Sequence, residues 1–220
     1  MMQKIRVWDL PLRVFHWSFA LVVVGAIISN IFDWMEIHSY CGYSAFVLVI
    51  FRIIWGIVGP TNARFVSFIP KHAELKSFIR DQQTNRLGHN PLGALSVIGI
   101  LAVMLIQSGS GLFVDNDVDF KGPLNQFVSA QVVDVMNAIH GSNHWLVYGL
   151  VALHLSAIYY YQRIKKQDLI GPMISGDKLV EEEIIQNEKS LASKDNLQIR
   201  ILGMGILTLT AALFWYFVLA

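Results

Sequence analysis

The sequence predicts an all-α integral membrane protein: a four-helix bundle followed by a fifth, C-terminal transmembrane helix. Three observations predict it. Only 15% of the 220 residues are charged and 54% are hydrophobic, against about 25% charged in soluble domains. The mean hydropathy is +0.48. The apolar residues also gather into runs of about 20, the length that crosses a hydrocarbon core about 30 Å thick.

The five runs are 12–32, 39–58, 92–114, 139–161 and 202–219. The first follows Lys4, Arg6 and Arg13 as a secretory signal would, but it is too long for such a segment and reads as an uncleaved span. Residues 1–174 form the four-helix domain, 175–200 a charged cytoplasmic linker and 201–220 the last helix. With the N-terminus in the cytoplasm, 15 of the 17 lysines and arginines fall on that side. Only Lys121 falls outside, and Arg52 lies within a span. The outer loops hold Asp33, Glu36, Asp115, Asp117, Asp119 and Asp134. This bias predicts a multi-pass membrane protein with its N-terminus in the cytoplasm.

The net charge of +1 carries no nucleic-acid footprint. Cys41 is the only cysteine, which excludes an internal disulfide and an iron–sulfur cluster held by this chain alone. No C-x-x-C-H occurs, so covalently attached haem is excluded too. Between the second and third spans, Lys71–Arg80 reads as a helix with Leu75, Phe78 and Ile79 on one face, lying on the membrane surface or solvated.

An ionisable group within a span is costly and marks function. Of seven histidines, His16 and His154 lie inside apolar runs, and His38 and His140 lie at run ends. His140 and His154 are 14 residues apart, about 40° short of four turns, so they leave one helix face about 21 Å apart along the axis. His16 matches His154 in depth, and His38 matches His140. The two pairs suit two non-covalent haems, each with two imidazole ligands, one near each membrane surface. Two imidazoles leave no open iron position, which favours electron transfer. His144 competes with His140 but points about 80° away from His154; it packs on the porphyrin or bonds a propionate. Arg52 meets a propionate or snorkels to the interface. Gly42, one turn after His38, leaves room for the porphyrin or for a neighbouring helix. His72 reads as a loop residue. Trp17, Trp34, Trp55 and Trp145 read as an interfacial belt.

RVWDLPLRVFHW (6–17), HSYCGYSAFVLVIFRIIWG (38–56), GHNPLG (88–93) and HGSNHWLVYGLVALH (140–154) carry a resemblance. Over about residues 4–178 the chain resembles the bacterial cytochrome b561 superfamily, in the branch of the nickel–iron hydrogenase cytochrome b subunits. The resemblance implies a four-helix bundle holding two b haems, ligated by His16, His38, His140 and His154. It implies electron exchange between the quinone pool and a partner, with His89 contacting a propionate or a quinone. The fifth span departs from that pattern.

The preferred reading is a transmembrane dihaem b-type cytochrome. It exchanges electrons between quinone or quinol and a periplasmic redox protein, either a c-type cytochrome or a hydrogenase. The acidic loop 115–138, with a surface helix over 125–137, suits docking of a basic partner. One rival is a superoxide:quinone oxidoreductase acting alone, which needs a cationic outer funnel where these loops are acidic. The other is a non-redox membrane anchor, which predicts a colourless protein.

Overall fold

The computed structural model describes residues 2–81, 88–118, 120–181 and 192–219. Arg86, Asp119 and Lys189, which enter the charge pattern, lie outside these residues. In chain order come strand β1 (Met2–Arg6) and helices α1 (Leu10–Ile31) and α2 (Met35–Val58). Next are the one-turn α3 (Phe65–Phe68), α4 (His72–Asp81), α5 (Pro91–Gly111) and α6 (Ala130–Tyr159). Helix α7 (Ile170–Ser175), strand β2 (Asp177–Glu181) and helix α8 (Leu197–Phe214) complete the order.

Among the described residues, four helices are long and apolar enough to cross a membrane: α1, α2, α5, and α8 extended to Leu219. At 22 residues, α1 spans about 33 Å. Helix α6 is longer, at 30 residues, but His140, Asn143, His144 and His154 make it less apolar than the other four. It also begins nine residues before the expected run. The outer loop holds no separate helix over 125–137. A single tight turn, Asn125–Phe127, is followed by extended Val128, and α6 then starts at Ala130. Nothing from Ala130 to His140 breaks a helix, so the helix begun there propagates into the span.

The chain forms two compact units. The first comprises Met1–Val14, Ile53–Gly99 and Leu153–Met204. Its β1 and β2 pair antiparallel, from Met2↔Glu181 to Arg6↔Asp177, so part of the expected linker is structured. Asp9 is fully buried and caps α1: its Oδ1 accepts from Leu12 N at 2.9 Å and from Trp55 Nε1 at 3.0 Å. Trp55 is therefore a core residue and not part of an interfacial belt; an indole N–H in the interior needs an acceptor, and Asp9 supplies it. Burial pushes the Asp9 carboxyl above its ordinary range.

Asp195 is the second anchor, with its side chain 4% exposed. Its Oδ1 accepts from Leu10 N, and its two oxygens take Arg200 bidentately, each bond at 3.1 Å. Arg6 Nη1 adds a further bond at 3.1 Å. Gly176 ends α7 at φ +89°, where a Cβ would collide with Arg6 and the Trp8 carbonyl. Its carbonyl accepts from the Val7 and Trp8 amides. In α4, Phe78 is buried while Ile79 is 62% exposed, so these two do not share the inward face.

The second unit comprises Phe15–Arg52, Ile100–Ala152 and Gly205–Ala220. Gly25 admits the Cys41 sulfur close to the α1 backbone. Asn143 donates to Val103 O at 3.0 Å and to Gln107 Oε1 at 2.9 Å, tying α6 to α5. The loop is held by Asn137, which exchanges two hydrogen bonds with the Asp115 backbone, and by the Lys121–Asp115 ion pair at 2.8 Å.

Burial alone would push the Asp195 carboxyl up; the Arg200 guanidinium and the Leu10 amide outweigh burial and hold it below the usual carboxylate range. A carboxylate depressed in the fold stabilises fully above its unfolded pKa and loses that contribution as pH falls through the folded value. Asp195→Asn is expected to cost about 2 kcal/mol at neutral pH. The gap to the parent should close only below the ordinary carboxylate range. Denaturant titrations in detergent, followed by tryptophan fluorescence across pH, measure both.

Candidate functional site

His38 leaves the first turn of α2, and His140 lies a third of the way along α6. Both belong to the second unit, and their ring centroids are 6.2 Å apart with the planes at 90°. Imidazole–metal bonds near 2 Å, plus about 1.1 Å from ring nitrogen to ring centre on each side, give about 6.2 Å for two imidazoles sharing one ion. The two rings thus stand at the separation that a shared ion requires.

The far side of each ring is fixed by a main-chain carbonyl. His38 Nδ1–H donates to Ala26 O at 2.9 Å, and His140 Nδ1–H donates to Gln107 O at 2.9 Å. A carbonyl only accepts, so each proton sits on Nδ1 and the Nε2 lone pair is left to bind a metal. Such a second bond orients a metal-binding histidine and raises its basicity. Gln107 also donates from Nε2 to His140 O at 3.2 Å. Ser110 Oγ lies 3.3 Å from His140 Nδ1.

A cavity of about 320 Å³ opens at these rings, lined by His38, Gly42, Tyr43, Ser108, Gly111, His140 and Gly141 among others. A Cβ at Gly42 or Gly141 would meet nothing within 4 Å, so both leave open space beside the histidines. Gly111 is different: a Cβ there would come within 3.0 Å of the His140 ring. Among the described residues, no three His, Cys, Asp or Glu side chains converge to hold an ion. The pair supplies two ligands, which suits an iron whose other four ligands come from a porphyrin. On ring separation, tautomer and space, the residues present fit a haem.

The other predicted residues are placed as follows. His16, on α1 in the second unit, stands edge-on to Trp17 at 5.1 Å. His154 lies on α6 in the first unit. Arg52 is 2% exposed, so its guanidinium does not snorkel out of the protein. His144 packs against Trp145 and Tyr148, with centroids at 4.7 and 5.3 Å, and is not among the cavity residues. His89 lies between Trp8 and Phe68, at 4.6 and 4.7 Å, just before Asn90 caps α5 through Gly93 N. His72 is exposed at the start of α4.

Sequence reasoning missed Ala26, Gln107, Ser110 and Asn143. Ala26 acts through its carbonyl and leaves no side-chain signal. Gln107, Ser108 and Ser110 form a polar run at the end of an apolar span, a signal that could have been read.

A sequence model of the family described as prokaryotic cytochrome b561 matches residues 7–176. The chain is 23% identical to a probable Ni/Fe-hydrogenase B-type cytochrome subunit of Azotobacter vinelandii, covering 80% of this chain and 89% of that protein. It is 20% identical to a protein of the same description from Rhizobium leguminosarum bv. viciae, covering 80% and 90%. To the corresponding Rhodobacter capsulatus protein it is 24% identical, covering 83% and 84%. With the family match spanning most of its length, and with paired histidines tied to carbonyls beside a cavity, the chain belongs to the prokaryotic cytochrome b561 family.

Proposed function

We propose that this chain carries electrons through a bacterial inner membrane on two b haems, one held by His38 with His140 and the other by His16 with His154. Membership of a b-type cytochrome family supplies the coarser statement, membrane electron transfer with haem b. The observation that supports the finer one is the His38–His140 pair, 6.2 Å apart with both Nδ1 atoms tied to carbonyls. For the second pair the support is the residue spacing along α6 and the depth of His16 in α1.

A bound haem supplies a one-electron couple; the rest falls to the chain. His38 with His140, and His16 with His154, would hold the iron, and a haem held by two imidazoles would supply outer-sphere electron transfer rather than oxygen chemistry. The Ala26 and Gln107 carbonyls hold the rings and their tautomer, so little reorganises when the charge changes. Buried Arg52 is the cation proposed to meet a propionate, since a guanidinium matches a carboxylate bidentately. His89, between two aromatic rings, is the residue proposed to face a quinone or a propionate. The electron donor or acceptor on the outer side is a hydrogenase or a c-type cytochrome; the names of the relatives favour the hydrogenase. The lysine and arginine bias supports an N-terminus in the cytoplasm.

Haem content decides the reading. The detergent-purified chain is expected to give a b-type reduced-minus-oxidised spectrum and two haems per polypeptide by pyridine haemochrome. His38→Ala and His140→Ala should each leave one haem, and so should His16→Ala and His154→Ala, while His72→Ala keeps both. A folded, colourless protein would sink the proposal. Gly42 gives a steric check: Gly42→Ala should keep both haems because its methyl enters open space, whereas Gly42→Phe should lose one.

Docking follows charge. Asp115 is engaged by Lys121, whose hydrogen bond holds the carboxyl below its usual range. Among the described residues of the 115–138 segment, that leaves exposed Asp117 and Asp134 as acidic groups for a basic partner. Replacing both with Asn should slow electron exchange with a basic c-type cytochrome by roughly two- to fivefold at low salt. The difference should vanish near 0.5 M salt; equal rates at low salt would remove the docking role.

A further inference from the structure

Residues beyond 176 lie outside the stretch that matches the family, yet α8 reaches the second unit through Gly205–Ala220. Most of α8 is exposed, as a lipid-facing helix should be. Within it only Gly203 and Phe214 are buried; eleven residues apart, they lie about 20° from three whole turns and share a face. Phe214, 8% exposed, sits 5.9 Å from the Tyr43 ring and 5.7 Å from the Phe46 ring. Tyr43 lines the cavity between His38 and His140. Phe46 reaches across to α5, where a Cβ on Gly109 would meet it at 3.7 Å. Gly109 lies between Ser108 and Gly111, two further lining residues.

We propose that α8 backs the His38–His140 site from behind its lining and that Phe214 is a positioning residue, holding Tyr43, which lines the cavity, and Phe46 beside it. The inference rests on the haem reading of that site and deepens it. The physical reason is packing. Tyr43 and Phe46 are half-buried, and without Phe214 the side of each ring that it covers loses a packing partner that fixes its orientation. An aromatic ring in a buried cluster gains both contact area and a preferred geometry. Phe214 supplies that backing from a helix that contributes none of the histidines.

The test uses the full chain. Haem loss to excess haem-free myoglobin is followed for the parent, Phe214→Ala, Phe214→Leu, Phe214→Trp and, as a control, Trp215→Ala, whose side chain is exposed. A potentiometric titration resolves the two haems. Phe214→Ala is expected to release one haem about tenfold faster than the parent, as only part of the cost of emptying an aromatic site reaches the pocket. It should also shift the midpoint potential of that haem while leaving the other unchanged. Phe214→Trp should restore both properties, and Trp215→Ala should behave as the parent. Should the alanine variant fail to fold, Phe214→Leu carries the same expectation with a smaller effect. Unchanged loss and potentials overturn the proposal. So does an equal effect on both haems without rescue by tryptophan, since that reports a loosened bundle. A parent that binds no haem overturns the site reading itself; a parent with two haems and an indifferent Phe214 overturns only this inference.

Discussion

An imidazole inside a bilayer has two nitrogens to satisfy, and lipid satisfies neither. Leaving a buried polar group unpaired costs several kcal/mol in such a medium. In this chain a helical carbonyl answers half of the demand. The Ala26 and Gln107 carbonyls each accept from a serine of their own helix, Ser29 or Ser110, and also from a histidine of the next helix. The bond from the histidine fixes the tautomer and leaves the Nε2 lone pair of each ring free of a proton. Under the proposed function, a haem iron is the partner that would satisfy both remaining nitrogens. Gln107, Asn143 and Ser110 serve the same end by pinning α5 to α6 where His140 stands.

The first unit solves a different problem, that of ending a membrane helix without stranding its N-terminal amides. Asp9 and Asp195 divide the work. Asp9 takes Leu12 N, and because it is buried it also takes the Trp55 indole. Asp195, from a segment nearly 190 residues away, takes Leu10 N and gathers Arg6 and Arg200. The R-V-W-D-L-P-L-R run is thus read twice, once as a helix cap and once as a binding surface for the segment that leads into α8. Gly176 belongs to the same structure, because only a residue without a Cβ lets Arg6 and the Trp8 carbonyl approach it.

The fold class and three of the spans were legible because hydropathy is a local property, and α1, α2 and α5 begin within four residues of the runs read from sequence. The α6 boundary was not legible: residues 125–137 read as a surface helix separate from the span, but nothing between Ala130 and His140 breaks the chain, so one helix runs through both. That His38 and His140 stand close together was legible from depth along the helices. What holds those rings was not, because Ala26 acts through a backbone oxygen and Gln107 through both its carbonyl and an amide that reads as a stray polar residue. Trp55 was misread for a related reason. An interfacial tryptophan and a buried one look alike until the acceptor is known, and that acceptor lies 46 residues away.

The division of roles along the chain follows from these constraints. Residues 7–176, the stretch shared with the family, contain every histidine, both carbonyls that orient His38 and His140, and the glycines that leave space beside them. Two buried positions on one face of α8, Gly203 against Pro11 and Trp55, and Phe214 against Tyr43 and Phe46, show what it covers. Gly203 permits close approach at one end because it has no side chain. Phe214 fills space at the other because its ring is large. A helix that served only as an anchor would need neither, since any apolar residue satisfies lipid; the placement of the smallest and one of the largest residues on the inward face is a packing requirement set by α2.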